Sequence, residues 1–154
     1  PVSTTIMLRS IADIARSEGE NLKIPDARLQ CLQVLGLGGS SKSDDGADTG
    51  YFAARAAMAK AVSDAAAYLA RKGLMQQGAP AIVRLIAQIA SRFSIVVSQK
   101  AAAQAVPLVG AFGGAVINTL FIDHFQDMGK GHFIVRRLER KHGLVAIERV
   151  YKEL

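Results

Sequence analysis

The chain has 154 residues, half of them apolar, with one cysteine, no tryptophan and a formal net charge of +6. That length suits a single domain, residues 1–154, with a sizeable core. One cysteine excludes an internal disulfide and a cysteine-based zinc site, and points to a reducing, cytoplasmic setting.

The charge is uneven. Residues 1–54 hold 5 basic and 7 acidic side chains, residues 55–100 hold 7 and 1, and residues 123–154 hold 7 and 5. The surplus therefore sits on the middle segment. The chain opens PVSTTIMLRS, with no initiator Met and no basic-then-apolar signal pattern, so the expectation is a fragment or a processed chain.

In chain order, Ser3 to Arg16 has Ile6, Met7, Ile11, Ile14 and Ala15 near helical spacing, with Gly19 placed to cap the helix. Pro25 and Asp26 open a short second helix with Leu29, Leu32 and Leu35 on one side, stopped by Gly36, Gly38 and Gly39. Cys31 lies among those leucines and reads as a buried thiol. Residues 38–50, GGSSKSDDGADTG, form a loop by composition. Asp44, Asp45 and Asp48 within it lack the spacing of a calcium loop, so no metal is expected.

Tyr51 to Arg71 is an alanine-rich helix suited to close packing and ended by Gly73. After a turn at 74–79, Pro80 starts an amphipathic helix to Lys100. Ile82, Leu85, Ile89, Phe93, Val96 and Val97 fill one side, and Arg84, Gln88, Ser91, Arg92 and Gln99 gather on the other. Arg84, Arg92 and Lys100 are the candidate contacts for anionic lipid headgroups; a solvated face is the plainer reading.

Next comes AAAQAVPLVGAFGGAVINTLFI, Ala101 to Ile122, which holds no charge. As one helix it would rise about 33 Å, enough to span a bilayer core. Pro107, the glycines, and the amides of Gln104 and Asn118 argue instead for a buried helix starting at Pro107. Gly110, Gly113 and Gly114 make a close-packing face that either environment could use. The expected fold is all-α: a compact helical bundle around a central apolar, glycine-containing hairpin over residues 81–128. Gly129 and Gly131 should then loosen or kink the chain before a helix from His132 to Lys141, capped at Gly143, and a last helix from Leu144 to Lys152.

Most of the distinctive polar chemistry follows the apolar stretch. His124, Asp127, His132 and Glu139 are the candidates for acid–base catalysis, with Asp127 one turn from His124. His124 and His132 are about 12 Å apart along a helix, too far to share a metal ion unless the chain kinks. The plainer reading gives His132 and Glu139 structural hydrogen bonds. Arg136 and Arg137, with Glu139, Arg140 and Lys141, read as an ion-paired exposed face or a binding face. The HExxH, GxSxG and Walker patterns are absent.

Three blocks resemble the bacterial EcsC family: MLRSIADIARSEGENL with CLQVLGLGG; GYFAARAAMAKA; and RFSIVVSQKAAAQAVPLVGAFGGAVINTLFIDHFQDMGKGHFIVRRLERKHG. The resemblance runs from about Thr4 to Tyr151. It implies a mainly α-helical protein with further chain before this point, so that the present residues form the C-terminal part of the domain. The family is named for an operon that also encodes parts of an ABC transporter tied to protein secretion, which implies a membrane neighbourhood. It implies no catalytic residue; its HF and RRLE positions match His132, Phe133, Arg136, Arg137, Leu138 and Glu139.

The functional expectation is a non-enzymatic accessory or lipid-binding helical module, without cofactor, at the inner face of the cell membrane and linked to transport or secretion. Its partner would be an anionic membrane surface or a membrane protein. The absence of aromatic-basic interleaving points away from nucleic acid. The alternatives are a hydrolase built on His124, Asp127, His132 and Glu139, and a protein-interaction module docking through the glycine face.

Overall fold

A computed structural model describes residues 2–38, 47–72, 80–104 and 113–153. The described residues form an all-α bundle of α1 (Val2–Ser17), α2 (Pro25–Leu37), α3 (Ala47–Lys72), α4 (Pro80–Gln104), α5 (Gly113–His142) and α6 (Leu144–Glu153).

Helix α1 buries Met7, Ile11 and Ala15 completely, one residue per turn on a single face. It stops at Gly19, whose φ of 82° only glycine adopts cheaply. Gly19 N–H donates to the Arg16 carbonyl at 3.0 Å and Glu20 N–H to the Ala15 carbonyl at 2.9 Å, the paired bonds of a Schellman ending. Gly143, with φ 87°, separates α5 from α6 in the expected place.

Helix α2 is the most enclosed of the described helices. Ala27, Leu29, Gln30, Cys31 and Gln33 through Leu37 are all buried, because α1, α3, α4 and α5 all pack on it. Apolar side chains lie all round it, as a helix surrounded by protein requires. Gly36 does not stop this helix; it lies inside it. A Cβ there would stand 2.8 Å from Met58 Sδ, and one at Gly38 would overlap the Phe125 ring. These glycines set how closely α3 and α5 approach α2. The Cys31 thiol is buried and donates to the Ala27 carbonyl at 3.4 Å; burial pushes its pKa up to about 11.

Helix α3 buries Ala54, Met58, Ala61, Val62, Ala65 and Leu69, the small-residue face expected to pack tightly. It starts at Ala47, so the end of the expected 38–50 loop is helical. Residues 39–46 of that loop, with Asp44 and Asp45, lie outside the described residues.

Part of the uncharged stretch 101–122 is described. Ala101–Gln104 close α4 and residues 113–122 open α5. Pro107 and Gly110 lie outside the described residues, as do the surroundings of Gly113 and Gly114 within α5. Among the described residues no helix is long and apolar enough to cross a membrane. Helices α4 and α5 pack on each other, with Phe93 against Phe121 and Phe125 at centroid distances of 6.1 and 5.6 Å.

Helix α5 runs unbroken through Gly129 and Gly131 to His142, where a separate helix from His132 is expected. A glycine costs a helix interior about 1 kcal/mol. Fully burying an apolar side chain is worth about 1.5–3 kcal/mol, and Phe125 and Phe133, on either side of the pair, are both fully buried. Gly129 also lets α5 settle onto α1 and α2, since its Cβ would lie 3.6 Å from Ile11 and 3.7 Å from Val34. Helix α6 buries none of its residues.

Candidate functional site

Where α2, α3 and α5 meet, their polar side chains form one connected network. Its buried centre is His132, which is 1% exposed. Its Nε2 lies 3.1 Å from Gln30 Oε1 and its Nδ1 lies 2.9 Å from the Tyr51 hydroxyl. The direction of each bond follows from the charged end. Arg136 donates from Nη2 to Asp26 at 3.0 Å, which keeps that carboxylate an acceptor. Gln30 must therefore turn its NH2 to Asp26, at 3.3 Å, and its oxygen to His132. His132 then carries its proton on Nε2 and accepts the Tyr51 hydroxyl on Nδ1.

The ring is thus neutral. Burial, then the charges of Arg55 and Arg136, hold its pKa well below the ordinary histidine value. Burial pushes Tyr51 up to about 12, so its hydroxyl stays protonated and can donate.

Ion pairs flank this centre. Arg55 holds Glu139 with two bonds, of 2.6 and 2.7 Å, and the side chains are only 15% and 9% exposed. Burial pulls against the Arg55 charge, but the Glu139 bond and neighbouring attractions leave its pKa above the ordinary value. Arg136 is balanced in the same way: burial opposes its charge, and Glu20 and Asp26 outweigh burial. Arg136 Nε meets Glu20 at 2.9 Å, Arg137 meets Glu18 at 2.8 Å, and Arg140 pairs with Glu20. Arg140 also donates to the Glu18 carbonyl at 2.8 Å.

The RRLER run is therefore not a solvated face paired within itself. It clamps α5 to the connection between α1 and α2 and, through Glu139, to α3. Of the candidate binding residues, Arg136 is engaged inside the fold, 17% exposed, and Arg137 pairs with Glu18 at the surface, 54% exposed. The acidic excess of the first third of the chain and the basic residues near its end largely answer each other here.

The four catalytic candidates do not assemble into an acid–base pair. His132 has both nitrogens bonded and Glu139 is held by Arg55. His124 donates from Nε2 to the Gly38 carbonyl at 2.8 Å. Asp127 is exposed and makes no hydrogen bond to His124. Among the described residues, no three His, Cys, Asp or Glu side chains converge to hold a metal ion.

His124, Asp127 and His132 nevertheless share the lining of one cleft of about 560 Å³ along α5, with Met128, Ile134, Val135 and Leu138, and with Tyr51 and Tyr151 as walls. A second cleft, of about 410 Å³, lies over Ala56, Ala59 and Val62 of α3, with Gln30, Gln33 and Arg55 at its edge.

The basic stripe of α4 is divided. Arg84 is exposed, 3.9 Å from Asp64. Arg92 turns inward, donating from Nε to the Gly36 carbonyl at 2.7 Å. The Lys100 side chain lies outside the described residues. The outward centre of α4 is apolar instead: Val83 and Ile86 are 52% and 54% exposed, and Ala87 and Ala90 continue the row.

Sequence reasoning passed over Gln30, Tyr51, Arg55, Glu20 and Asp26 as members of the network. One signal was present: Gln30 and Gln33 stand among Leu29, Cys31, Leu32, Val34 and Leu35, and amides in so apolar a helix need internal partners.

Compared with known proteins, the chain matches no curated protein and no solved structure at a significant level. The model of the EcsC protein family matches residues 1–138, which contain α1 to α4 and most of α5 but neither Glu139 nor α6. With most of its length matched, the chain belongs to the EcsC family.

Proposed function

We propose that this chain is a non-enzymatic accessory module that rests on an anionic membrane surface through the outward face of α4, in the transport- or secretion-linked setting its family resemblance implies. The observation that carries this reading is the apolar row Val83, Ile86, Ala87 and Ala90, exposed at helical spacing. Exposed Arg84 stands at its edge, in a chain of net charge +6. An apolar stripe with a basic margin is the pattern of helices that lie in the headgroup region. Each exposed Lys or Arg near such a surface adds about 1 kcal/mol of attraction.

The test is flotation of the purified chain with anionic and with neutral vesicles, at low and at physiological salt. Binding to anionic vesicles that weakens with salt is expected, and Ile86→Glu should abolish it. No flotation in any condition would end the membrane reading. The same face would then fall to a protein partner.

A further inference from the structure

Two glycines stand close together in α5, and they differ. A Cβ on Gly129 would touch Ile11 and Val34, so packing accounts for its bareness. A Cβ on Gly131 would meet nothing within 4 Å. A helix-interior glycine lowers stability by about 1 kcal/mol relative to alanine, and among the described residues no neighbour accounts for that at 131. Gly131 lines the cleft of about 560 Å³, where a side chain at this position would stand.

The shape and chemistry of the cleft narrow what it can hold. Its lining follows α5 from His124 to Leu138, a rise of about 21 Å, which suits an extended chain. Met128, Val135 and Leu138 supply an apolar floor, and Tyr51 and Tyr151, with ring centroids 5.8 Å apart, stand as aromatic walls. The volume is that of a small-molecule site.

The His124 end of the cleft carries an acceptor, the Asp127 carboxylate. Asp127 is an exposed carboxylate with no ion pair or hydrogen bond among the described residues. The Nε2 proton of His124 is given to the Gly38 carbonyl, so that donor is not offered to a ligand. The nearby guanidinium groups of Arg55 and Arg136 are already paired with Glu139, Glu20 and Asp26.

We infer that this cleft binds a single-chain amphiphile with a protonated amine head, its tail lying along α5 over Gly131 and its amine at Asp127. The site is separate from the outward row of α4: among the described residues that line it, none belongs to α4.

The test is calorimetric titration of the full chain with dodecylamine below its micelle concentration at neutral pH, with laurate as the opposite-charge control. The chain carries net charge +6, so non-specific attraction favours laurate and a preference for the amine is diagnostic. A single saturable site for dodecylamine is expected, with laurate at least about tenfold weaker. Asp127→Asn should weaken dodecylamine about threefold to tenfold and leave laurate no weaker. Gly131→Leu should abolish binding while leaving thermal stability equal or higher, and Gly131→Ala should weaken it less.

Lauroyl lysophosphatidylethanolamine carries the same tail and amine on a phosphate. Its binding more tightly than dodecylamine would assign the head to a lipid, and the reverse order to a free amine. Equal binding of laurate, indifference to Asp127→Asn, binding retained by Gly131→Leu, or no saturable site would each overturn the inference. Ile86→Glu leaves this binding intact and Gly131→Leu leaves vesicle flotation intact, so this site and the membrane face fail separately.

Discussion

The junction of α2, α3 and α5 and the outward side of α4 invert the usual arrangement of a globular protein. The junction is polar and buried: His132, Gln30 and the Arg55–Glu139 pair sit where a core would normally be aliphatic. The α4 exterior is apolar and wet: Val83 and Ile86 face solvent. At the junction each group has a partner, so the polar residues are explained by the fold itself. On α4 nothing among the described residues accounts for the exposed side chains. The difference teaches that polar clustering and functional availability are separate properties. His132 and Glu139, which look like chemistry in the sequence, are already spent on partners within the fold.

The largest effect should come from breaking the buried ion pair. Glu139→Ala leaves the Arg55 guanidinium out of water and unpaired, and should cost about 3 kcal/mol in urea unfolding. The double change Arg55→Met with Glu139→Leu removes both charges and should recover most of that loss. A single-variant loss below about 1 kcal/mol would mean that solvent, not Glu139, satisfies Arg55, and the contrast with α4 would collapse.

His132 should cost somewhat less. His132→Leu leaves the Gln30 carbonyl and the Tyr51 hydroxyl without their partner, a loss of about 2 kcal/mol. The same ring sets a pH dependence whose sign is fixed. Its folded pKa is depressed, so above the unfolded value of about 6.5 neither state binds the proton and the contribution is complete. Below that, the unfolded chain takes up a proton that the folded ring refuses. Stability should fall by up to about 1.4 kcal/mol per pH unit as pH drops from 6.5 towards the folded pKa. His132→Leu should flatten that slope between pH 5 and 6.5; an unchanged slope would mean that other groups cause it.

The same contrast explains what could be read from the residues alone. Helical spacing, prolines at starts and glycines at ends located most of the described helices. Those signals are local, and Gly19 and Gly143 act through their own φ angles. The status of α5 was harder to read, because two glycines in three residues predict a break unless the residues that bury against them are known. Ile11 and Val34, far away in the chain, decide it.

The partners of the polar residues were hidden for the same reason. Arg55 meets Glu139 across 84 positions, and Gln30 meets His132 across 102. Helical spacing on α4 put Leu85, Ile89 and Phe93 on the side that is buried, but it assigned no place to Val83 and Ile86. The neighbours turn Arg92 inward and leave that apolar row outward.

Gly131 gives a smaller effect, of opposite sign. Gly131→Ala should stabilise the chain by about 0.5–1 kcal/mol, because alanine restricts the unfolded backbone and meets nothing in the folded one. Gly36→Ala is the informative control, since its methyl would press on Met58 Sδ from 2.8 Å and should destabilise despite the same gain in propensity. Thermal unfolding of the two variants separates a glycine kept for packing from one that packing does not require.

The smallest stability effect belongs to the α4 exterior, and its smallness is the point. Val83→Ser and Ile86→Gln replace side chains that are more than half exposed, so each should change unfolding free energy by no more than about 0.5 kcal/mol. Both should still lower vesicle flotation, because the apolar area they remove is area that headgroups would have covered. A loss of stability near 2 kcal/mol would mean that Val83 and Ile86 are held by the fold after all. Unchanged stability with unchanged flotation would leave α4 as a helix whose exposed apolar row touches no membrane. Unchanged stability with lost flotation would separate the two regions by experiment: the junction holds the bundle together, and the face of α4 meets what lies outside it.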